Sequence, residues 1–130
     1  MIGLDTNILL RFYLKDDPSQ SARAAALIQS FGSPELGHVS LVTLAELVWV
    51  MDRTYNKPRN EISALVRGLL ESRQVIIENH DAVTQALLRF ESSNADFSDC
   101  LIERLCASAG CSRTMTFDVG AAKSAGMVLL

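Results

Sequence analysis

The sequence predicts an α/β fold: a single domain over residues 1–130, three-layered α/β/α, with a central parallel sheet of four to five strands. Three observations predict it. Short apolar runs alternate with stretches of helical periodicity along the whole chain. One run, Val75-Ile76-Ile77, is apolar at every position, as a strand covered on both faces requires. Two runs end directly in an acid, at Asp5 and at Asp118, where strand ends meet helix starts. Strands separated by helices of this length connect in parallel through right-handed crossovers, which leaves helices on both faces.

Each element has a local reason. Met1 to Leu4 is a short apolar strand running into Asp5, and Thr6-Asn7 lead into a helix whose stripe is Ile8, Leu9, Phe12 and Tyr13. Asp16-Asp17-Pro18-Ser19 breaks that pattern, with Asp17 as N-cap and Pro18 as the first helical residue of a helix over about 19–30. Phe31-Gly32-Ser33-Pro34 is a turn, and Leu36 to Val39 a second strand. Ser40 caps a long helix bearing Leu41, Leu44, Leu47, Val48 and Met51. After Asn56-Lys57-Pro58, Glu61 to Leu70 carries the stripe Ile62, Leu65, Val66, Leu69 and Leu70. Val75 to Ile77 is the third strand, and Asn79 is placed to cap a helix over 80–91. Asp96 opens a further helix, striped by Leu101, Ile102, Leu105 and Ala109 and stopped by Gly110. Met115 to Phe117 is the fourth strand. Ala121 to Leu130 reads as a helical turn and an apolar end suited to an edge strand.

Bulk properties exclude several classes. At 130 residues the chain can bury roughly two-thirds of its unfolded surface, and 48% apolar with 6% aromatic content makes the core aliphatic. No uncharged apolar run reaches the ~20 residues of a membrane span. An acid at position 5 does not fit a basic leader followed by an apolar stretch, so the expected location is the cytoplasm. Cys100, Cys106 and Cys111 show neither a Cys-x-x-Cys spacing nor a paired histidine motif and read as small buried hydrophobes. The formal charge is −3, but with five carboxylates set apart in one site it becomes +2 for the remainder. A polyanionic substrate is therefore compatible with the composition. Arg11, Lys15, Arg53, Lys57, Arg59, Arg67 and Arg73 are scattered and form no basic run.

The chemistry lies in the acids. Asp5 and Asp118 follow strands and belong at one sheet edge. Asp96 and Asp99, three residues apart in a first helical turn, share a face. Glu46 sits about 9 Å along its helix from Ser40, and its side chain leans back toward the strand ends. Its neighbours Leu44, Ala45, Leu47 and Val48 are apolar, and a buried glutamate there requires a partner or a metal. Each acid also has a structural reading: Asp96 and Asp99 as a capping pair, Asp5 and Asp118 as turn acids, Glu46 as a satisfied core acid or a solvent-facing one. Taken together, however, carboxylates gathered in one crevice repel one another unless a cation is present. Oxygen-only ligands suit Mg²⁺ or Mn²⁺, which activate water and neutralise phosphate oxygens in phosphodiester hydrolysis. Thr6, Asn7, Ser98 and Thr116 stand beside the acids as small polar groups able to orient them. His38 and His80 show no acid/base pairing.

These pieces resemble the PIN-domain ribonucleases, and within them the small VapC-type toxins of bacterial toxin–antitoxin pairs. The resemblance rests on Gly3-Leu4-Asp5-Thr6-Asn7-Ile8-Leu9, Ser40 through Ala45-Glu46-Leu47, Ala95-Asp96-Phe97-Ser98-Asp99-Cys100-Leu101-Ile102, and Thr116-Phe117-Asp118, an ordered set spanning nearly the whole chain. It implies Asp5, Glu46 and Asp99 as the central metal-binding acids, completed by Asp96 and Asp118. Thr116 is implied as a supporting hydroxyl and Asn7 as a residue behind the ligands. It also implies cleavage of structured RNA such as tRNA or rRNA with Mg²⁺ or Mn²⁺, a homodimer, and inhibition by a cognate antitoxin. Phe12, Tyr13, Trp49 and Met51 are the candidates for the antitoxin groove or the dimer contact, with core packing the alternative reading for most of them. Cys100 stands where the family more often has alanine, and Val119-Gly120 follow Asp118 where it often has a charged residue.

Two other readings use the same residues. A phospho-accepting receiver-like domain also has this length, a parallel sheet and an Mg²⁺-binding acid cluster. It would need adjacent acids after the first strand and a lysine after the last, where this chain has a lone Asp5 and Asp118. A PIN-like module that binds without cutting would keep the fold and lose the activity.

Overall fold

Brief apolar runs and long amphipathic stripes give this chain short strands and extended helices. The computed structural model describes all of residues 1–130, which fall into two units, Met1–Glu78 and Asn79–Leu130.

In the first unit, β1 (Ile2–Gly3), β2 (Gly37–Val39) and β3 (Val75–Ile77) form a parallel sheet in that order. Ile2 stands opposite Gly37, and Gly37, His38 and Val39 stand opposite Val75, Ile76 and Ile77. The connections carry α1 (Thr6–Leu14), α2 (Pro18–Ser30), α3 (Leu41–Arg53) and α4 (Arg59–Glu71). The capping expectations at Asp17 and Ser40 hold. The Asp17 carboxylate accepts from the Gln20 amide at 3.0 Å with Pro18 next to it, and the Ser40 hydroxyl accepts from the Thr43 amide at 3.2 Å. Lys15 ends α1 in the left-handed region at φ 55°. Leu9, Val39, Leu44, Leu47 and Val66 are fully buried and make the aliphatic core. α4 begins at Arg59, two residues ahead of the expected start at Glu61, because Pro58 serves as its N-cap residue.

The second unit contains α5 (His80–Glu91), α6 (Phe97–Ser108), β4 (Met115–Thr116), α7 (Val119–Ser124) and β5 (Val128–Leu129). α5 and α6 pack together around Phe90 and Phe97, whose rings meet edge to face at 5.8 Å. Asn79 stands at the N-cap position of α5 but its side chain makes no capping bond. Its backbone is left-handed, not extended as a capping side chain needs. Gly110, at φ 96°, follows the end of α6 as expected.

The fold is the expected three-layer α/β/α arrangement with parallel strands, of which five form and three make up the main sheet. β1, β2 and β3 form one sheet, while β4 pairs in parallel with β5, Met115 opposite Val128 and Thr116 opposite Leu129. β4 is two residues long, and its neighbouring carbonyls are bonded by β5: Val128 donates to Thr114 and Leu130 to Thr116, both at 2.9 Å. Asp5 and Asp118 thus end strands of different sheets. No helix is long and apolar enough to cross a membrane.

Candidate metal centre

Three of the five acids are helix N-cap residues, and what each carboxylate does there separates them. Asp5 links β1 to α1 in extended conformation and is exposed. Its backbone carbonyl accepts from Ile8 at 3.1 Å, but its side chain makes no capping bond. Asp96 caps α6, accepting from the Ser98 amide at 3.0 Å, and Asp118 caps α7, accepting from the Ala121 amide at 2.8 Å. In both of these one carboxylate oxygen is engaged with backbone and the other is left for a further partner. Asp5 keeps both.

Within the first unit, the start of α3 is tied to the end of β1. The Thr43 hydroxyl, itself bonded to Ser40, reaches the Leu4 carbonyl at 3.5 Å. Glu46 follows Thr43 by one turn on the same side of α3. Burial, though, does not force Glu46 onto a cation, since it is exposed. Leu44, Leu47 and Val48 turn to the core, while Val42, Glu46 and Trp49 face solvent, Val42 at 79% and Trp49 at 55% exposure. The apolar neighbours that suggested burial in the sequence lie on the other side of the helix. Thr6 is buried, and Asn7 is exposed at the start of α1.

Within the second unit, Asp99 lies in the first turn of α6, part-buried. Its carboxyl is held above the ordinary carboxylate range, first by burial and then by the negative charges of Asp96 and Asp118. Asp99 therefore lies within electrostatic reach of both Asp96 and Asp118. Thr116 supports the arrangement through its hydroxyl, which accepts from the Asp118 amide at 3.0 Å. The Ser98 amide is spent on Asp96, so Ser98 acts in the cap.

Within neither unit do three acid, histidine or cysteine side chains converge into a ready-made cation cage. The donor chemistry nonetheless fits a hard cation: the candidates are carboxylates throughout, and a positive charge near Asp99 would remove the repulsion that raises its carboxyl. Cys100, Cys106 and Cys111 are free thiols; Cys100 is buried as expected, but Cys106 is half-buried and Cys111 exposed, because they lie at and beyond the end of α6 where the chain leaves the core. His38 pairs through its backbone in β2, and His80 has Nδ1 3.5 Å from the Thr84 hydroxyl.

Glu78 is an acid that the sequence reading did not single out. It follows β3 as Asp5 follows β1, and that strand-to-acid junction is the signal that could have found it. Its carboxylate accepts from the Leu41 amide at 3.0 Å and so helps Ser40 cap α3, the helix that carries Glu46.

A family model for the PIN domain matches residues 2–126. No curated protein matches the chain. Similar solved structures include the Mycobacterium tuberculosis toxin VapC20, described as cleaving the sarcin-ricin loop. That protein is 21% identical, with 98% of this chain and 97% of that one covered and a TM-score of 0.47, a likeness that carries no argument about activity.

Proposed function

The chain belongs to the PIN-domain family, and from that premise we propose that it is an endoribonuclease dependent on Mg²⁺ or Mn²⁺, acting on structured RNA such as tRNA or rRNA. The observation that carries this reading is the extent of the family match, residues 2–126, which takes in all five acids and both units. We read residues 1–130 as one functional domain. Asp5, Glu46 and Asp99 are its central ligands, and Asp96 and Asp118 complete the set.

When bound, the cation supplies Lewis acidity to the phosphate and a water of lowered pKa. The protein's own residues prepare for it. Asp5 offers a carboxylate that no backbone group occupies. Asp96 and Asp118 are fixed by their capping bonds, so their outer oxygens are presented at small entropic cost. Thr116 fixes the backbone of Asp118. Asp99 must be ionised to bind a cation, and the neighbours that raise its carboxyl make its affinity for positive charge the greater.

In this reading the enzyme is the toxin of a toxin–antitoxin pair, acts in the cytoplasm as a homodimer and is inhibited by its antitoxin. Among the residues expected at a partner surface, Trp49 is exposed, and Tyr13 and Met51 line a cleft of about 360 Å³ with Leu14, Ile62 and Leu65. Phe12 instead packs edge to face on Tyr13 at 5.1 Å.

The test is incubation of total cellular RNA with purified protein in Mg²⁺, in Mn²⁺ and in EDTA, comparing wild type with Asp5→Asn and Asp99→Asn. Discrete fragments are expected only for wild type with metal. Intact RNA under every condition, from folded protein that binds Mn²⁺, would remove the catalytic reading and leave a PIN-like binding module. Cleavage persisting in both variants would remove the assignment of these acids.

A further inference from the structure

The arginines that look scattered in sequence are partly gathered by the α1–α2 hairpin. The two helices pack side by side and leave a cleft of about 430 Å³ lined by Asn7, Ile8, Arg11, Gln20, Arg23 and Leu27. Its two guanidiniums differ. Arg11 donates through Nε to Gln20 at 2.8 Å and through Nη1 to Asp16 at 2.9 and 3.1 Å. Those bonds hold the planar group in place and leave Nη2 unspent. Arg23 follows Gln20 by one turn of α2, is exposed and has no carboxylate partner. Asp16, and at longer range Asp17, act on Arg11, while Arg23 has no carboxylate partner, so the lining itself carries two guanidiniums and no acid. Ile8 and Leu27 add a half-buried apolar wall. Asn7, with an amide that both donates and accepts, stands two residues from Asp5.

A pre-positioned arginine, an uncompensated arginine, a small apolar wall and one amide are the groups that a nucleotide requires: a charged fork for phosphate, a face for ribose or base, and a polar contact for an edge. The volume lies in the range of small-ligand sites. We infer that this cleft seats one nucleotide of a single-stranded RNA, next to the phosphodiester presented at Asp5. The inference rests on the nuclease reading for its role, but its binding half can be measured separately.

The experiment uses the full-length protein, a short fluorescein-labelled single-stranded oligoribonucleotide and fluorescence anisotropy in EDTA, so that cleavage does not interfere. Arg23→Ala is expected to raise Kd about tenfold, the loss of one charge-assisted contact. The slope of log K against log salt should fall by about 0.7, the share of one phosphate on a single strand. Arg11→Lys, which keeps the charge and loses the fork, should also weaken binding, while Arg73→Ala should not. Arg23 is exposed, and circular dichroism would check that its variants fold. Binding by Arg23→Ala and Arg11→Lys within twofold of wild type would overturn the inference. So would an arginine dependence seen with a poly-glutamate peptide and not with RNA.

The same preparations, assayed on total RNA with Mn²⁺, separate the two readings. Cleavage by wild type with arginine-independent binding removes the cleft and keeps the nuclease. Arginine-dependent binding without cleavage keeps the cleft as a nucleotide site and removes the nuclease.

Discussion

Phe97 is the anchor through which the fold presents Asp96 and Asp99, and replacing it by leucine tests that link. It is the first residue of α6, 1% exposed, flanked by Asp96 on one side and Ser98-Asp99 on the other, with its ring edge to face on Phe90 at 5.8 Å. Phe97→Leu removes the aromatic pair, about 0.5–1.5 kcal/mol, and leaves a gap in a dense region that adds a term of similar size. The sum is about 2 kcal/mol, which for a domain of this length lowers Tm by about 8 °C. Thermal and urea unfolding followed by circular dichroism would read this. Mn²⁺ affinity measured by titration calorimetry should fall with it, because the first turn of α6 loses its fixed seat. An unchanged Tm would refute the anchoring argument. A lower Tm with unchanged Mn²⁺ affinity would show that Phe97 holds the helix without positioning the acids.

Two glycines should respond in opposite directions. A Cβ at Gly37 would lie 2.8 Å from the buried Phe31 ring and 3.2 Å from Leu4, so Gly37→Ala should cost about 1–3 kcal/mol in urea unfolding. Gly68 lies in α4 with nothing near its missing Cβ, and Gly68→Ala should stabilise by about 0.5–1 kcal/mol. Asp99 predicts a pH dependence. Its folded carboxyl titrates above its unfolded value, so the native state holds the proton more tightly, and stability falls as pH rises through that window. Metal-free Asp99→Asn should therefore be more stable than wild type at neutral pH, by less than about 1 kcal/mol since Asp99 is only part-buried. The difference should vanish in acid, and added Mn²⁺ should reverse it by stabilising wild type alone. Wild type and variant with parallel pH profiles would refute a carboxyl raised at Asp99 by burial and by its acidic neighbours.

Local chemistry made much of this protein legible. Asp17 before Pro18, Ser40 before an apolar stripe and Asp96 before Phe97 announce helix starts, and each side chain makes its capping bond. Val75 to Ile77 is a strand at the expected residues, though only one of its faces is covered, since Ile76 is exposed, and His80 to Glu91 is a helix. The acids at the ends of strands are readable because each junction involves only a few adjacent residues. Where the sequence leaves alternatives open, the deciding partner is far along the chain or on another face. Glu46 reads as a core acid or a solvent-facing one, and packing decides for solvent: its apolar neighbours turn inward and it turns outward.

The sequence by itself determined the element order, the helix caps at Asp17, Ser40 and Asp96, the strand-to-acid junctions and a set of candidate ligands that are all oxygen donors. Hydrogen bonds across one turn and side-chain periodicity set these, and both act over a handful of residues. Only the tertiary structure decided that β4 pairs with β5 apart from the first sheet, and that Glu78 caps a helix 37 positions away. It also decided that Arg11 and Arg23 share one cleft. Strand partners and shared surfaces depend on which faces pack together, and packing joins residues whose separation along the chain carries no local signal.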